Sequence, residues 1–123
     1  MKIVVFGPNR RTGALRDGMI VVQSLHSTAA IFVNEWQDAL LNDFRTLLET
    51  VVPADDNWRH NDPKYSDCDR GNAASHLRAA VLGASVVLAV SGGRTVRGLW
   101  QSIILAELDG PRTRTVSVQI LGG

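Results

Sequence analysis

Cysteine is nearly missing from this chain. The single Cys68 cannot close an internal disulfide, and its neighbours Asp67 and Asp69 oppose thiolate formation, which argues against a disulfide scaffold and against a cysteine nucleophile. An excess of one charge is missing too. The net charge of +1 gives no electrostatic case for nucleic acid or an anionic membrane, and the basic residues, mostly arginine, are spread along the chain. No apolar run reaches the length of a membrane span, and no charged-then-apolar leader precedes a cleavage site. These absences together lead to the expectation of a cytoplasmic protein. A dinucleotide loop is excluded at residues 7–13, because only Ala14, Leu15, Arg16 and Asp17 separate Gly13 from Gly18, too few for a crossover helix. The same segment lacks the Gly-Lys-Ser/Thr ending of a phosphate loop, so it reads as a plain turn.

What is present suits one domain. The 123 residues fall in the range of roughly 100–150 in which single cores are commonest, and 45% hydrophobic with 20% charged residues is ordinary for a globular chain. Strands are expected over residues 2–6, 19–25 and 29–33, the last two meeting near His26. From 36 to 51 the apolar residues Leu40, Leu41, Phe44, Leu47, Leu48 and Val51 recur at helical spacing, and Pro53 stops the helix. Residues 53–72 are polar and aperiodic, with Trp58 and Tyr65 suggesting an ordered, functional loop. Asn72 suits the N-cap of a short helix over 73–82 that Gly83 ends. A hairpin over 85–97, a strand over 101–108, a turn at 109–112 and a last strand over 113–120 follow. The apolar and polar residues of that last strand alternate, which predicts one buried face. The order describes an α+β domain with mostly antiparallel sheet, one unit over 1–123.

The chain has only three histidines, and three neutral imidazoles leave one position of a zinc-type metal open. His26 lies between two strands, His60 in the long loop and His76 near the start of the short helix, where the helix dipole favours the neutral ring. Each also has an ordinary structural reading, as a strand end, a solvated loop residue or a packed helix residue. Glu35 and Glu107 are candidates for a general base or for orienting a histidine, against a helix-start charge and a cross-strand pair. Asn34 could orient a ligand. Trp100 could stack on a heteroaromatic substrate or pack in the core or at a subunit contact, with Gln101 on the opposite sheet face. Arg94, Arg97 and Arg112, in or beside turns, could receive phosphate oxygens or be solvated.

The segments His26-Ser27-Thr28-Ala29-Ala30, Asn34-Glu35, Ser75-His76-Leu77-Arg78-Ala79, Leu82-Gly83-Ala84-Ser85, Gly98-Leu99-Trp100-Gln101 and Glu107-Leu108-Asp109-Gly110-Pro111-Arg112 carry a resemblance. In order and spacing they resemble the YjbQ-like family, small bacterial and archaeal proteins often labelled secondary thiamine-phosphate synthase enzymes. The resemblance implies a YjbQ-like sandwich with one long and one short helix, assembled as a homotrimer. It also implies that His26, His60 and His76 gather around a divalent metal near subunit contacts, with zinc suiting three imidazoles. The label implies coupling of a pyrimidine pyrophosphate to a thiazole phosphate, expected to be weak because such transfers use magnesium, which prefers oxygen ligands. The alternatives are a zinc-type hydrolase and a non-catalytic trimeric metal- or ligand-binding protein. The expected partners are other copies of the chain and a small, phosphorylated molecule, with no nucleic acid and no membrane. Ser27 and Ser102 depart from the family's usual Thr and Gly. The N-terminal segment is too short for both the first strand and the first helix of the family, so that part of the domain is expected to be reduced.

Overall fold

The computed structural model describes residues 15–55 and 57–122, and the backbone of 2–6. The turn expected at 7–13 lies outside the described residues. Among the described residues, seven strands and two helices follow one another as β1 (Lys2–Phe6), β2 (Gly18–Ser24), β3 (Ala29–Asn34), α1 (Asp38–Val51), α2 (Ala73–Leu82), β4 (Ser85–Ser91), β5 (Arg94–Thr95), β6 (Ser102–Glu107) and β7 (Val116–Gly122), with a 3-10 turn, Arg59–Asn61, between the helices. The strands form two antiparallel sheets, ordered β1-β6-β3 and β5-β4-β2-β7. The α+β reading therefore holds.

The core is built around β3 and β6, whose residues Ala29, Ala30, Ile31, Ile104 and Ala106 are essentially inaccessible. Ala30 and Ala106 face each other in register and pack with Ala79 of α2, ringed by Phe32, Leu82 and Leu108. Three alanines at the contact let helix and sheet approach closely, and a larger side chain there would overpack the interior. Phe44 of α1 meets Phe32 edge-to-face, with ring centroids 5.3 Å apart. Gln37, not Trp36, opens α1, its side-chain oxygen accepting from the Leu40 amide at 2.7 Å. The far end of α1 is tied to α2, because Arg78 donates from Nε and Nη2 to the Val52 carbonyl at 3.0 and 2.8 Å.

Gly83 ends α2 as expected, with φ of +101°, a conformation that costs glycine little and other residues much. Its carbonyl accepts from the Ile31 amide, and the next carbonyl, of Ala84, accepts from Ser24. Two consecutive peptide units thus join α2 to both sheets.

The last strand behaves differently from its pattern. Val118 and Ile120 point to the same face as the buried Val22 but are themselves exposed, because β7 is the outermost strand of its sheet and little lies over it. Alternation defines which side chains share a face; it does not ensure that the face is covered. On the opposite face of this sheet, Leu121, Met19 and Ala89 form one row and Gln119, Val21 and Val87 the next, an apolar strip bounded by Gln23, Ser85 and Ser117 on one side and by Ser91 and Arg94 on the other. Among the described residues, no helix is long and apolar enough to cross a membrane.

Candidate functional site

In the polar segment, residues 53–55 and 57–72 form a loop held by its own side chains. Trp58 Nε1 donates to the Pro53 carbonyl at 2.8 Å, and Asn61 and Asp62 close the 3-10 turn through Trp58 and Arg59. The Asp62 carboxylate accepts from the Lys64 amide at 2.9 Å and its carbonyl from Tyr65 and Ser66, a turn in which an aspartate side chain stands in for backbone. Arg59 lies over the Tyr65 ring, 5.0 Å from its centroid.

The loop docks on α2 through Asn61, whose Oδ1 accepts from the Ala73 amide at 2.9 Å. Asn72, the expected cap, makes no capping bond with its side chain; it donates instead to Asp109 Oδ2 at 2.8 Å. A residue twelve positions before the helix therefore satisfies one of its first amides. The bond also sets the position of the residue next to Asn61. His60 is brought against His76, ring centroids 4.9 Å apart and planes at 82°.

His60 Nε2 is buried and has no hydrogen-bond partner. Burial lowers the pKa of His76 below the ordinary imidazole value, and nearby His60 lowers it further, while Asp109 opposes. The direction favours the neutral ring, with desolvation, not the helix dipole, as the leading cause.

His26 stands apart from this pair. Its Nε2 accepts a hydrogen bond from the Thr115 amide at 2.7 Å, which occupies the one lone pair of a neutral imidazole. Among the described residues, no three His, Cys, Asp or Glu side chains come close enough together to hold a metal ion. One chain thus gathers two of its three histidines.

Glu107 is not placed as a general base. Arg114 engages both of its carboxylate oxygens, and Oε1 also accepts from the Asp109 amide at 2.8 Å. The Arg114 hydrogen bonds hold the Glu107 pKa below the usual carboxylate range, with burial opposing, so the group is a weak proton acceptor. Arg114 Nη2 donates further to Thr28 Oγ1 at 3.0 Å. The buried unit Glu107–Arg114–Thr28 fastens the His26-Ser27-Thr28 segment to the β6–β7 turn. Gly110 is required in that turn, since a Cβ there would come 2.7 Å from the Glu107 side chain. Asp109, which the sequence did not single out, accepts from Arg70 through both oxygens at 3.1 and 3.0 Å. The Arg70 bonds are the main cause of its lowered pKa.

The remaining candidates are dispersed. Asn34 Oδ1 accepts from the Glu35 amide, and Glu35 sits half-buried just before α1. Trp100 is 70% exposed, so it does not fill the core. Gln101 lies before β6 and closes a tight loop, its Oε1 accepting from Gly98 and its carbonyl from Arg97. Arg94 is exposed at the β4–β5 turn, and Arg112 is 3.5 Å from Asp109. A cavity of about 670 Å³ opens beside His60, with Arg59, Lys64, Tyr65 and Ser66 in its wall. Arg114, Thr28, Asn61 and this cavity are the parts that sequence reasoning missed. Only Thr28, inside a quoted motif, carried a signal.

The model of the UPF0047, YjbQ-like family matches residues 10–123. The chain belongs to that family. A UPF0047 protein of Methanothermobacter thermautotrophicus is 44% identical over 111 residues, covering 90% of this chain and 73% of that protein. One from Archaeoglobus fulgidus is 41% identical over 106 residues, covering 86% and 79%. The crystal structure of a YbjQ-like protein of unknown function from Sulfolobus solfataricus superposes with a TM-score of 0.82 at 33% identity, over 99% of this chain and 96% of that one. The two-sheet, two-helix architecture is therefore the YjbQ-like fold.

Proposed function

We propose that this YjbQ-like protein is a homo-oligomer, a homotrimer by the family resemblance, that binds a zinc-type divalent cation through His60 and His76, with His26 of a second copy as the third imidazole. The observation that carries this reading is the buried Nε2 of His60, which has no hydrogen-bond partner among the described residues and lies beside the ring of His76. An orphaned imidazole nitrogen costs about 1–3 kcal/mol unless something occupies its lone pair. The donor chemistry fits zinc better than magnesium. When bound, such a cation would polarise an oxygen atom of a small substrate.

The chain's own groups limit what chemistry can follow. Glu107 and Asp109 are committed to guanidinium partners, so neither is free to move a proton. His60 and His76 would hold the metal, Asn61 would orient His60, and Thr28 with Arg114 would fix the His26 segment. Weak thiamine-phosphate synthase activity, as the family label implies, or binding without turnover is the activity this arrangement accommodates. Assembly is supported by the apolar strip on the four-stranded sheet, formed by Leu121, Met19, Ala89, Val21 and Val87, and by β7, whose outer edge pairs with no strand among the described residues.

The test is metal analysis after purification without chelator or affinity histidines. His60→Ala and His76→Ala should each lose most of the metal. Mixing His26→Ala subunits with His76→Ala subunits should restore part of it, since some interfaces then combine two intact halves. Wild-type metal content in His76→Ala would refute the site; no restoration on mixing would refute the sharing between copies. Thiamine-phosphate formation unchanged in His60→Ala would detach that activity from this site.

A further inference from the structure

We infer that the cavity beside His60 is a recognition site for small molecules carrying a divalent oxyanion, a phosphate monoester being the best fit. Several cations of the described structure are committed. Arg70, Arg112 and Arg114 are paired with carboxylates, Arg78 with the Val52 carbonyl and Arg97 with that of Gln101. Arg16, Arg59, Lys64 and Arg94 meet no carboxylate among the described residues, and of these Arg59 and Lys64 line one cavity of about 670 Å³. The single carboxylate in the wall, Asp67, leaves the lining with a net positive charge.

The wall is also ordered in advance. Arg59 lies over the Tyr65 ring, 5.0 Å from its centroid, which restricts the guanidinium to this wall, and a guanidinium suits two oxygens of one anion. The Asp62 turn sets Lys64 on the same cavity. Ser66 Oγ already accepts from the Cys68 amide at 3.1 Å, so its hydroxyl proton is the part left to donate. An arginine, a lysine and a hydroxyl thus line the one cavity, a set that matches the oxygens of a phosphate, and two cations favour a dianion over a monocarboxylate. The cavity shares His60 with the proposed metal site, so the oxyanion end of a substrate would sit next to the reacting region.

This inference takes its setting from the proposed site but does not depend on the metal, and the experiment separates the two. Chelator-treated full-length protein is titrated with inorganic phosphate and, separately, acetate, following backbone amide resonances. Saturable shifts confined to residues 59–67 are expected, with phosphate in roughly the millimolar range and acetate at least about tenfold weaker. Arg59→Gln should weaken phosphate binding by about tenfold and Lys64→Gln by several-fold, while Arg16→Gln, an exposed substitution ahead of β2, should change nothing. Shifts that fail to saturate, that survive Arg59→Gln, or that fall equally with Arg16→Gln would overturn the inference. Loss of phosphate binding with metal content intact removes this site alone, and phosphate binding in a chain that never holds metal removes the metal reading alone.

Discussion

Replacing Glu107 with alanine would leave Arg114 with only the two neutral oxygens of Thr28 as partners. The side chains of Arg114 and Glu107 are 6% and 10% exposed, so water can do little to solvate the abandoned guanidinium. Removing one member of a buried pair typically costs about 3–5 kcal/mol, a fifth or more of the roughly 5–15 kcal/mol that holds a domain together. Glu107→Leu combined with Arg114→Met should recover most of that loss, because the penalty lies in the orphaned charge and not in the missing attraction. The pH dependence follows from the same pair. Glu107 has a depressed folded pKa, so its contribution is complete above the ordinary carboxylate pKa and is lost as pH falls through the folded value. Asp109 has the same sign, but its partner Arg70 is 44% exposed and solvent screening makes its share smaller. Urea unfolding from about pH 7 down to about pH 2, at one protein concentration so that assembly does not shift the result, measures both effects. Glu107→Gln should be less stable at neutral pH and should lose less on acidification than the wild type. A Glu107→Ala cost below about 1 kcal/mol, or a double variant no better than the single, would refute the account.

Two further outcomes are expected. Asn61→Ala removes the cap of α2 and the constraint on His60, so it should cost about 1 kcal/mol in stability and lower the metal content, while Asn61→Asp, which keeps an acceptor at a helix start, should preserve both. Val87→Lys places a charge in the apolar sheet face and should shift sedimentation at micromolar concentration from trimer towards monomer; a wild type that is already a clean monomer would refute the interface.

Much of the fold was legible because its signals are local. The spacing of Leu40, Leu41, Phe44, Leu47 and Leu48 makes a helix whatever surrounds it, and Gly83 stops α2 for reasons contained in its own backbone. The errors arose where two local readings competed for one distant partner. Asn72 has the chemistry of a cap, but Asp109, remote in sequence, takes its side chain, and the cap passes to Asn61 in a loop that shows no periodicity. Glu107 had the features of a base until Arg114, seven residues on, closed over both its oxygens. Hydrogen-bond competition of this kind is decided by three-dimensional proximity, and sequence spacing carries little of it.

His26 shows how far such competition constrains function. Its lone pair is held by the Thr115 amide, yet that bond lies at the exposed end of β2, where water can replace either partner. A bond of that kind contributes a net of about 0.5–1.5 kcal/mol. Apparent binding free energies of structural zinc in small domains are about 10–16 kcal/mol, shared among four ligands, so one imidazole ligand outweighs the bond several-fold. On the proposed reading, exchange of the Thr115 amide for a metal is therefore favourable. Among the described residues of the single chain, no three His, Cys, Asp or Glu side chains gather into such a site. What the sequence marked as one cluster of three is there a pair with an open nitrogen and a third imidazole whose bond is cheap to break, and the proposed second copy is the arrangement that would satisfy both.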